Sequence, residues 1–182
     1  AEGDFAAFVA GHWQKAWLAG CKIVEDIYGV AVQEKADLVI ASAGGFPKDI
    51  NFYQASKAIE NASLAVKAGG VLIVAMECRE IEEPPDFSQW FEVHSLYERE
   101  ELLRKNFTVP GFVALKLGLI AKQMPVIIVS LPQNKVFLEA AGMIAADNID
   151  EAIALGKNLL GVPNPKTMIL PDGAVTLPIL QS

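Results

Sequence analysis

Residues 36–58 read ADLVIASAGGFPKDINFYQASKA, and this stretch decides the fold. The segment DLVIA at 37–41 is a short apolar run of the kind that forms a strand buried on both faces of a sheet. A loop with two glycines follows, and apolar residues then recur at helical spacing from about Phe52 to Lys67. Asn51 is a typical helix N-cap, with Gln54 three residues on as in a capping box. The stretch therefore predicts a strand, a loop and a helix, the repeating unit of parallel sheets.

The same alternation of strand and helix continues on both sides of this stretch. Upstream, helical spacing predicts a helix from Ala6 to Tyr28, with Cys21 in its buried apolar face. Downstream, Gly69-Gly70 is expected to end the helix that starts at Phe52. Further strands are predicted at Val71–Met76, Val126–Leu131, Met143–Ala146 and Thr167–Leu170. Further helices are predicted at about Ser95–Phe107, Pro110–Gln123, Lys135–Ala141 and Asn148–Leu160. We therefore expect an α/β, Rossmann-like single domain: a parallel sheet of about five strands with helices on both faces.

Composition excludes several classes of protein. The net charge of −7 without a basic stripe argues against binding to nucleic acid. No apolar run reaches the roughly 18 to 20 residues of a membrane span, so no membrane partner is expected. Two cysteines without a CxxC motif indicate neither a disulfide framework nor a zinc site, and a cytoplasmic location is the expectation. The chain starts at Ala1 rather than at Met, which suggests a piece of a longer protein.

Candidate functional residues cluster after the first predicted strand, because ligands of parallel sheets bind beyond the carboxyl ends of the strands. Tyr53, Gln54 and Lys57 lie in the first helical turns, where spacings of three and four place them on one face. Free N–H groups and partial positive charge at a helix N-terminus favour a carboxylate or phosphate there. The preceding Gly44-Gly45 permits close approach of a ligand to the backbone. An equally good interpretation assigns no function to the three residues. Gln54 would then only complete the helix cap, Lys57 would be a solvent-exposed helix lysine, and Tyr53 would pack in the core with its hydroxyl in water.

Beyond these local patterns, four segments resemble the nickel-pincer lactate racemase family: residues 36–58, 65–71, 77–80 and 171–178. The similarity keeps its order along nearly the whole chain. It implies a longer two-domain enzyme, of which residues 1–182 would be the C-terminal α/β domain and the N-terminal domain would lie outside this chain. Members of that family racemise small 2-hydroxy acids with a nickel-pincer nucleotide held between the domains.

The resemblance also implies roles for individual residues. Gln54 and Lys57 would be the catalytic pair, holding the carboxylate and hydroxyl oxygens of the substrate. Facing the substrate and cofactor would be Tyr53, Gly44, Gly45 and Asp49. The family's metal ligand, its cofactor-anchoring lysine and its proton-shuttling histidines belong to the N-terminal domain. We therefore expect no metal ligand in this chain, a partner in its own N-terminal domain, and no activity of the chain alone.

Some residues match no motif of that family or depart from it. His12 and His94 match none of its motifs, and both are expected at a surface or interface. Many members of the family have a glycine where this chain has Ile81, and a His-Lys pair where this chain has Phe112 and the residue after it. These differences put lactate in doubt as the substrate, and another 2-hydroxy acid is possible. Cys78 follows a predicted strand end, and we expect it to be buried and inert.

Two other functions remain open at this stage. Tyr53 and Lys57 fit the Tyr-x-x-x-Lys pair of short-chain dehydrogenases, in which the lysine lowers the pKa of the tyrosine. That family needs a glycine-rich dinucleotide loop, and neither GxGxxG nor GxxxGxG occurs here. A non-catalytic α/β ligand-binding module could use the same helix N-terminus to hold an anion.

Overall fold

The computed structural model describes residues 5–181. Its helices are α1 (Trp13–Tyr28), α2 (Phe52–Ser63), α3 (Pro85–Ser88), α4 (Leu96–Lys105), α5 (Val109–Gln123), α6 (Lys135–Ala140) and α7 (Ile149–Leu160). Its strands are β1 (Gly29–Val32), β2 (Ala36–Ser42), β3 (Val66–Ala75), β4 (Val126–Val129), β5 (Ile144–Ala146), β6 (Thr167–Leu170) and β7 (Leu177–Leu180). Short 3-10 turns lie at Gln89–Glu92 and Pro132–Asn134.

Five of the strands form one parallel sheet in the order β5-β4-β3-β2-β6. From β2 the chain proceeds outward through β3, β4 and β5, then returns to place β6 on the other side of β2. The strand order therefore reverses between β2 and β6. In open parallel sheets such a switch point leaves a crevice beyond the carboxyl strand ends, where ligands bind.

Helices cover both faces of this sheet, as predicted. On one face the side chains of α2 and α5, including Phe52, Ile59 and Leu117, pack on Val39, Leu72 and other strand residues in the larger core cluster. On the opposite face α7 contributes Ala152 and Ile153 to a smaller cluster of strand residues. The central strands β2, β3 and β4 are largely buried because a helix layer packs on both faces of the sheet there, whereas the edge strand β6 leaves Thr167 and Ile169 exposed. The expected α/β architecture with a five-stranded parallel sheet is confirmed.

The first helix differs from its prediction. It starts at Trp13 rather than Ala6, and His12 precedes it as the N-cap residue instead of lying inside the helix. Gly11 has φ of +133°, a backbone conformation that a helix does not contain. No residue of α1 is buried, so the prediction that Cys21 belongs to the core is wrong: it is half-buried. Helical spacing predicts an apolar stripe, but burial requires a partner for that stripe.

The end of α2 and the start of β3 also differ from the predicted bounds. α2 stops at Ser63, and Gly69-Gly70 lies inside β3 instead of ending the helix. The pairing of β2 with β3 shifts register here, from Ala36 opposite Val66 to Leu38 opposite Val71. Gly69 has φ of +77°, and its missing side chain allows the bulge that takes up the extra residues.

Two short strands were not predicted at all. β1 and β7 pair in parallel as a separate two-stranded sheet, with Gly29 opposite Leu177 and Val32 opposite Leu180. Their sequences, GVAV and LPIL, are four residues each and lie near opposite ends of the chain. Such a pairing depends on contacts between residues far apart in the sequence, and local sequence patterns do not predict these contacts.

Candidate functional site

The loop between β2 and α2 is shaped by its glycines. Gly44 and Gly45 have φ of +94° and +72°, a region that side chains rarely adopt. The N–H of Gly44 donates to Oγ of Ser42 at 3.0 Å, and the carbonyl of Gly45 accepts from the N–H of Lys48 at 2.8 Å. A Cβ on Gly44 would lie 3.1 Å from Cδ of Lys48. The tight turn therefore brings Lys48 against the backbone at the carboxyl end of β2.

The N-terminus of α2 brings Gln54 and Lys57 together. The predicted cap is present: Oδ1 of Asn51 accepts from the N–H of Gln54 at 2.9 Å. The Gln54 side chain does not complete the capping box but accepts at Oε1 from Nζ of Lys57, at 2.7 Å. Gln54 is half-buried and Lys57 exposed. One amide and one ammonium group are thus held side by side at a helix end that favours anions.

Tyr53 sits beside this pair on an aromatic base. Its half-buried ring meets that of Phe87 edge to face, with centroids 5.1 Å apart. Directly before it, Phe52 is fully buried and its ring touches those of Phe87, Phe91 and Phe137. Such ring contacts fix helix rotation through shape and through edge-to-face attraction. They set which way the first turn of α2 faces.

A cleft of about 710 Å³ opens over this helix end. One wall carries Asn51, Tyr53 and Gln54, and the facing wall is the loop with Glu80, Glu83 and Pro84. The two glutamates are exposed, so the cleft brings an amide and a phenol opposite carboxylates. A carboxylate ligand in this cleft therefore needs positive charge nearby. The Lys57 ammonium can supply it, since it donates a hydrogen bond to Gln54 in the wall of the cleft.

Asp49, unlike the other candidates, is turned into the protein. It is only 6% exposed, and its Oδ2 accepts from the N–H of Glu77 at 2.9 Å. Its carbonyl oxygen accepts from the N–H of Cys78 at 3.0 Å. Asp49 therefore joins the loop after β2 to the loop after β3, and it fixes the two walls of the cleft relative to each other.

Cys78 is fully buried at the start of the acidic wall. Burial, followed by the negative charges of Asp49 and Glu77, raises the pKa of its thiol to about 12. Its φ of +51° is unusual for a residue with a side chain, and Nδ2 of buried Asn134 donates to its carbonyl at 2.9 Å. A thiol in this state is a poor nucleophile or metal ligand, as expected for an inert cysteine.

An ion pair spans the switch point of the sheet. Nζ of Lys48, in the loop after β2, lies 3.6 Å from Oδ1 of Asp172, in the turn after β6. The N–H of Gly173 donates to the carbonyl of Ser42 at 2.8 Å, which holds the two loops together. Sequence reasoning did not single out Lys48 or Asp172 as site residues. Both lie in the segments that carry the family resemblance, but only the sheet order brings them together.

Within residues 5–181, no three His, Cys, Asp or Glu side chains are grouped so as to hold a metal ion. His12 and His94 are both exposed, and neither lines the cleft over α2. No helix in the described part of the chain is both long and apolar enough to cross a membrane.

Comparisons with known proteins agree on one family. Residues 31–177 match the model of the lactate racemase C-terminal domain. A lactate racemase from Thermoanaerobacterium thermosaccharolyticum is 32% identical over 171 residues, which is 90% of this chain and 39% of that protein. A lactate racemase from Lactiplantibacillus plantarum is 34% identical over 71 residues, 39% of this chain and 16% of that protein.

Solved structures give the same result. The lactate racemase apoprotein from T. thermosaccharolyticum superposes with a TM-score of 0.80 at 30% identity, over 93% of this chain and 41% of that one. A crystal structure of a Thermotoga maritima protein shares the fold alone, with a TM-score of 0.58 at 13% identity over 92% of this chain.

The chain thus spans about 40% of the length of the relatives that it matches along most of its own length. The matched residues 31–177 contain the five-stranded sheet, the glycine loop and the Gln54–Lys57 pair. This chain belongs to the lactate racemase C-terminal domain family.

Proposed function

We propose that this chain is the substrate-positioning half of a racemase for small 2-hydroxy acids, with its active site completed by an N-terminal domain. The observation that carries the proposal is the 2.7 Å bond between Lys57 and Gln54 at the mouth of the cleft. It places the two residues that the family resemblance marks as catalytic on one helix end. The family membership and the partial coverage of the relatives support the need for a second domain.

In this proposal Gln54 and Lys57 bind the polar end of the substrate. The amide nitrogen Nε2 of Gln54 can donate to a carboxylate oxygen of the substrate. The Lys57 ammonium then lies near the oxygen on C2 and stabilises the negative charge that this oxygen carries once its proton has passed to a base of the N-terminal domain. A positive group at that position stabilises the transition state more than the ground state.

The surrounding residues position this pair. Tyr53 forms the apolar side of the cleft. In the loop before α2 nothing lies within 4 Å of a Cβ built on Gly45, so a ligand can approach the backbone there. Asp49 acts indirectly, by tying the walls together through Glu77. The exposed Glu80 and Glu83 disfavour a second carboxylate on the substrate, so we infer that a monocarboxylic acid fits best.

The nickel-pincer nucleotide belongs to the same proposal, but the described residues of this chain do not fit as its holders. They offer no grouped metal ligands, and the buried thiol of Cys78 stays protonated because its pKa is raised to about 12. The cofactor is therefore assigned to the N-terminal domain. A cytoplasmic location is likewise a proposal, supported by the cysteine pattern alone.

The test is a racemisation assay on the full-length protein, loaded with cofactor, against a panel of single-enantiomer 2-hydroxy acids. We expect interconversion of at least one pair, and its loss in Gln54→Ala and in Lys57→Ala. The matched control is Lys157→Ala, an exposed lysine on α7 at the opposite face of the sheet, which should racemise normally. Full activity in Lys57→Ala would remove Lys57 from the mechanism. Ligand binding without turnover across the panel would instead favour the non-catalytic binding module.

A further inference from the structure

Arg99 is a buried cation without an acidic partner. It lies in α4, is 3% exposed, and forms no ion pair with any of residues 5–181. Its Nε donates to the carbonyl of Val93 at 2.5 Å, and its guanidinium carbon sits 5.1 Å from the centre of the Phe91 ring. Burying an ionised side chain is costly unless its charge and its N–H donors are satisfied. The hydrogen bond uses one of its five donors, and the aromatic ring offsets its charge only in part.

The remaining guanidinium nitrogens open onto a cavity. No hydrogen bond joins Nη1 or Nη2 of Arg99 to the described residues, yet neither nitrogen is sealed from solvent. The guanidinium lines a cavity of about 260 Å³. Burial lowers the pKa of Arg99, but a guanidinium remains charged at neutral pH. The planar fork of donors therefore faces a space large enough for a small ligand.

The charge around this cavity has one sign. Arg99 and the exposed Lys122 are the charged residues that line it, and no described aspartate or glutamate does. Gly118 and Gly142 form part of its wall and leave room beside the guanidinium, since a Cβ on Gly118 would lie 3.1 Å from Nη1 of Arg99. A basic cavity in a chain of net charge −7 attracts anions selectively.

The cavity is separate from the candidate active site. Lys122 comes just before β4, and Gly142 just before β5, so the cavity lies at the amino ends of these strands. The cleft over α2 lies beyond the carboxyl ends of β2 and β3, at the other edge of the sheet. None of the residues that line the cleft lines the basic cavity.

We propose that this cavity is a binding site for a compact oxyanion, a carboxylate or a phosphate group. Arg99 would donate two parallel hydrogen bonds to it and Lys122 would add a second positive charge, the arrangement in which arginine holds such groups. The proposal does not depend on the proposed racemase function. The rival account is purely structural: Arg99 and Lys122 would offset the partial negative charge at the C-terminus of α5 and bind nothing.

Calorimetric titration of the full-length protein decides between these accounts. The probes are inorganic phosphate, adenosine monophosphate and acetate, each against sodium chloride of equal ionic strength. We expect saturable binding of at least one probe, weakened roughly tenfold by Lys122→Gln, which removes one charge-assisted contact. The probe that binds most tightly would show whether the natural ligand is free phosphate, a phosphate ester or a carboxylate.

Two further variants separate binding from structure. Arg99→Lys keeps the charge but loses the fork, and should also weaken binding; if it fails to fold, Lys122→Gln on the exposed surface decides. Arg104→Gln, on the same helix but paired with Glu100, should leave the affinity unchanged. No saturable binding of any probe, or equal affinity in Lys122→Gln and the wild type, would overturn the proposal.

Discussion

Nζ of Lys57 donates a hydrogen bond of 2.7 Å to Oε1 of Gln54, three residues earlier on the first turns of α2. The bond presets both side chains toward the same point, and it is available for exchange because both groups reach solvent. A substrate that replaces it meets a donor and a cation whose positions already match. Preset geometry of this kind lowers the entropic cost of binding and of reaching the transition state.

Lys57→Met tests whether the pair serves binding or stability. Because Lys57 is exposed, we expect the free energy of unfolding to change by no more than about 0.5 kcal/mol, as for other surface substitutions. Turnover of the full-length enzyme should fall by at least a hundredfold, since loss of a charge-stabilising donor typically costs that much. Urea unfolding and initial racemisation rates measure the two effects. A large loss of stability with normal turnover per folded molecule would contradict the assignment.

The cap of α2 should matter to activity as well as to stability. Asn51→Ala removes the acceptor for the Gln54 N–H and should cost about 1 kcal/mol of stability. It also loosens the helix turn that carries Gln54, so turnover should fall. Asn148→Ala is the matched control, because Oδ1 of Asn148 caps α7 in the same way at 2.9 Å from the N–H of Glu151. A similar loss of stability without a change in KM or kcat is expected there. If Asn51→Ala and Asn148→Ala had the same KM and kcat, the cap of α2 would have no role in activity.

Cys78 should resist thiol reagents in the folded protein. Its pKa of about 12 leaves almost no thiolate at pH 8, and its side chain is fully buried, whereas Cys21 is half-buried on α1. Labelling with a disulfide reagent should therefore modify Cys21 first and Cys78 only after unfolding. Peptide mapping by mass spectrometry distinguishes the two, and rapid labelling of Cys78 without denaturant would show that its site opens.

Ionisation of the Cys78 thiol should lower the free energy of unfolding at alkaline pH. Its pKa is higher in the folded state, about 12, than its ordinary value of 9.0, so the folded state keeps the proton more tightly. The contribution to stability is therefore complete below about pH 9 and is lost as the pH rises toward 12. Cys78→Ala should flatten this part of the stability profile, measured by urea unfolding between pH 8 and 11. An unchanged slope would show that the thiol does not titrate as expected.

Gly173 should not tolerate a side chain. A Cβ there would lie 3.0 Å from the carbonyl oxygen of Ser42 and 3.1 Å from Cβ of Ala41, so the turn after β6 would have to move away from β2. Gly173→Ala should cost about 1 to 3 kcal/mol, as other overpacked sites do. Gly20→Ala is the control, because it lies in α1 with its nearest neighbour 3.8 Å away, and alanine favours helix. Thermal or urea unfolding of both variants checks the difference, and equal stability would contradict the close contact.

Local chemistry made the central strand, the glycine loop and the start of α2 predictable from sequence. The run at 37–41 is apolar throughout its strand, and Asn51 accepts the hydrogen bond that its position predicts. Gln54 and Lys57 were predicted to share a face because helical spacing alone dictates it. The order of the segments, together with their resemblance to one family, was enough to predict a parallel sheet and the family itself.

Contacts between distant segments were decided only by the tertiary structure. The ion pair of Lys48 with Asp172 and the pairing of β1 with β7 depend on strand order, which no local pattern encodes. The apolar stripe of α1 predicted burial, yet burial depends on what packs against it, and α1 has no buried residue. Arg99 reads as an ordinary helix cation in sequence, and only packing reveals it as buried beside an open cavity. Sequence fixes local backbone preferences through short-range sterics and hydrogen bonds, whereas burial and charge environment are properties of segments that meet only in the folded chain.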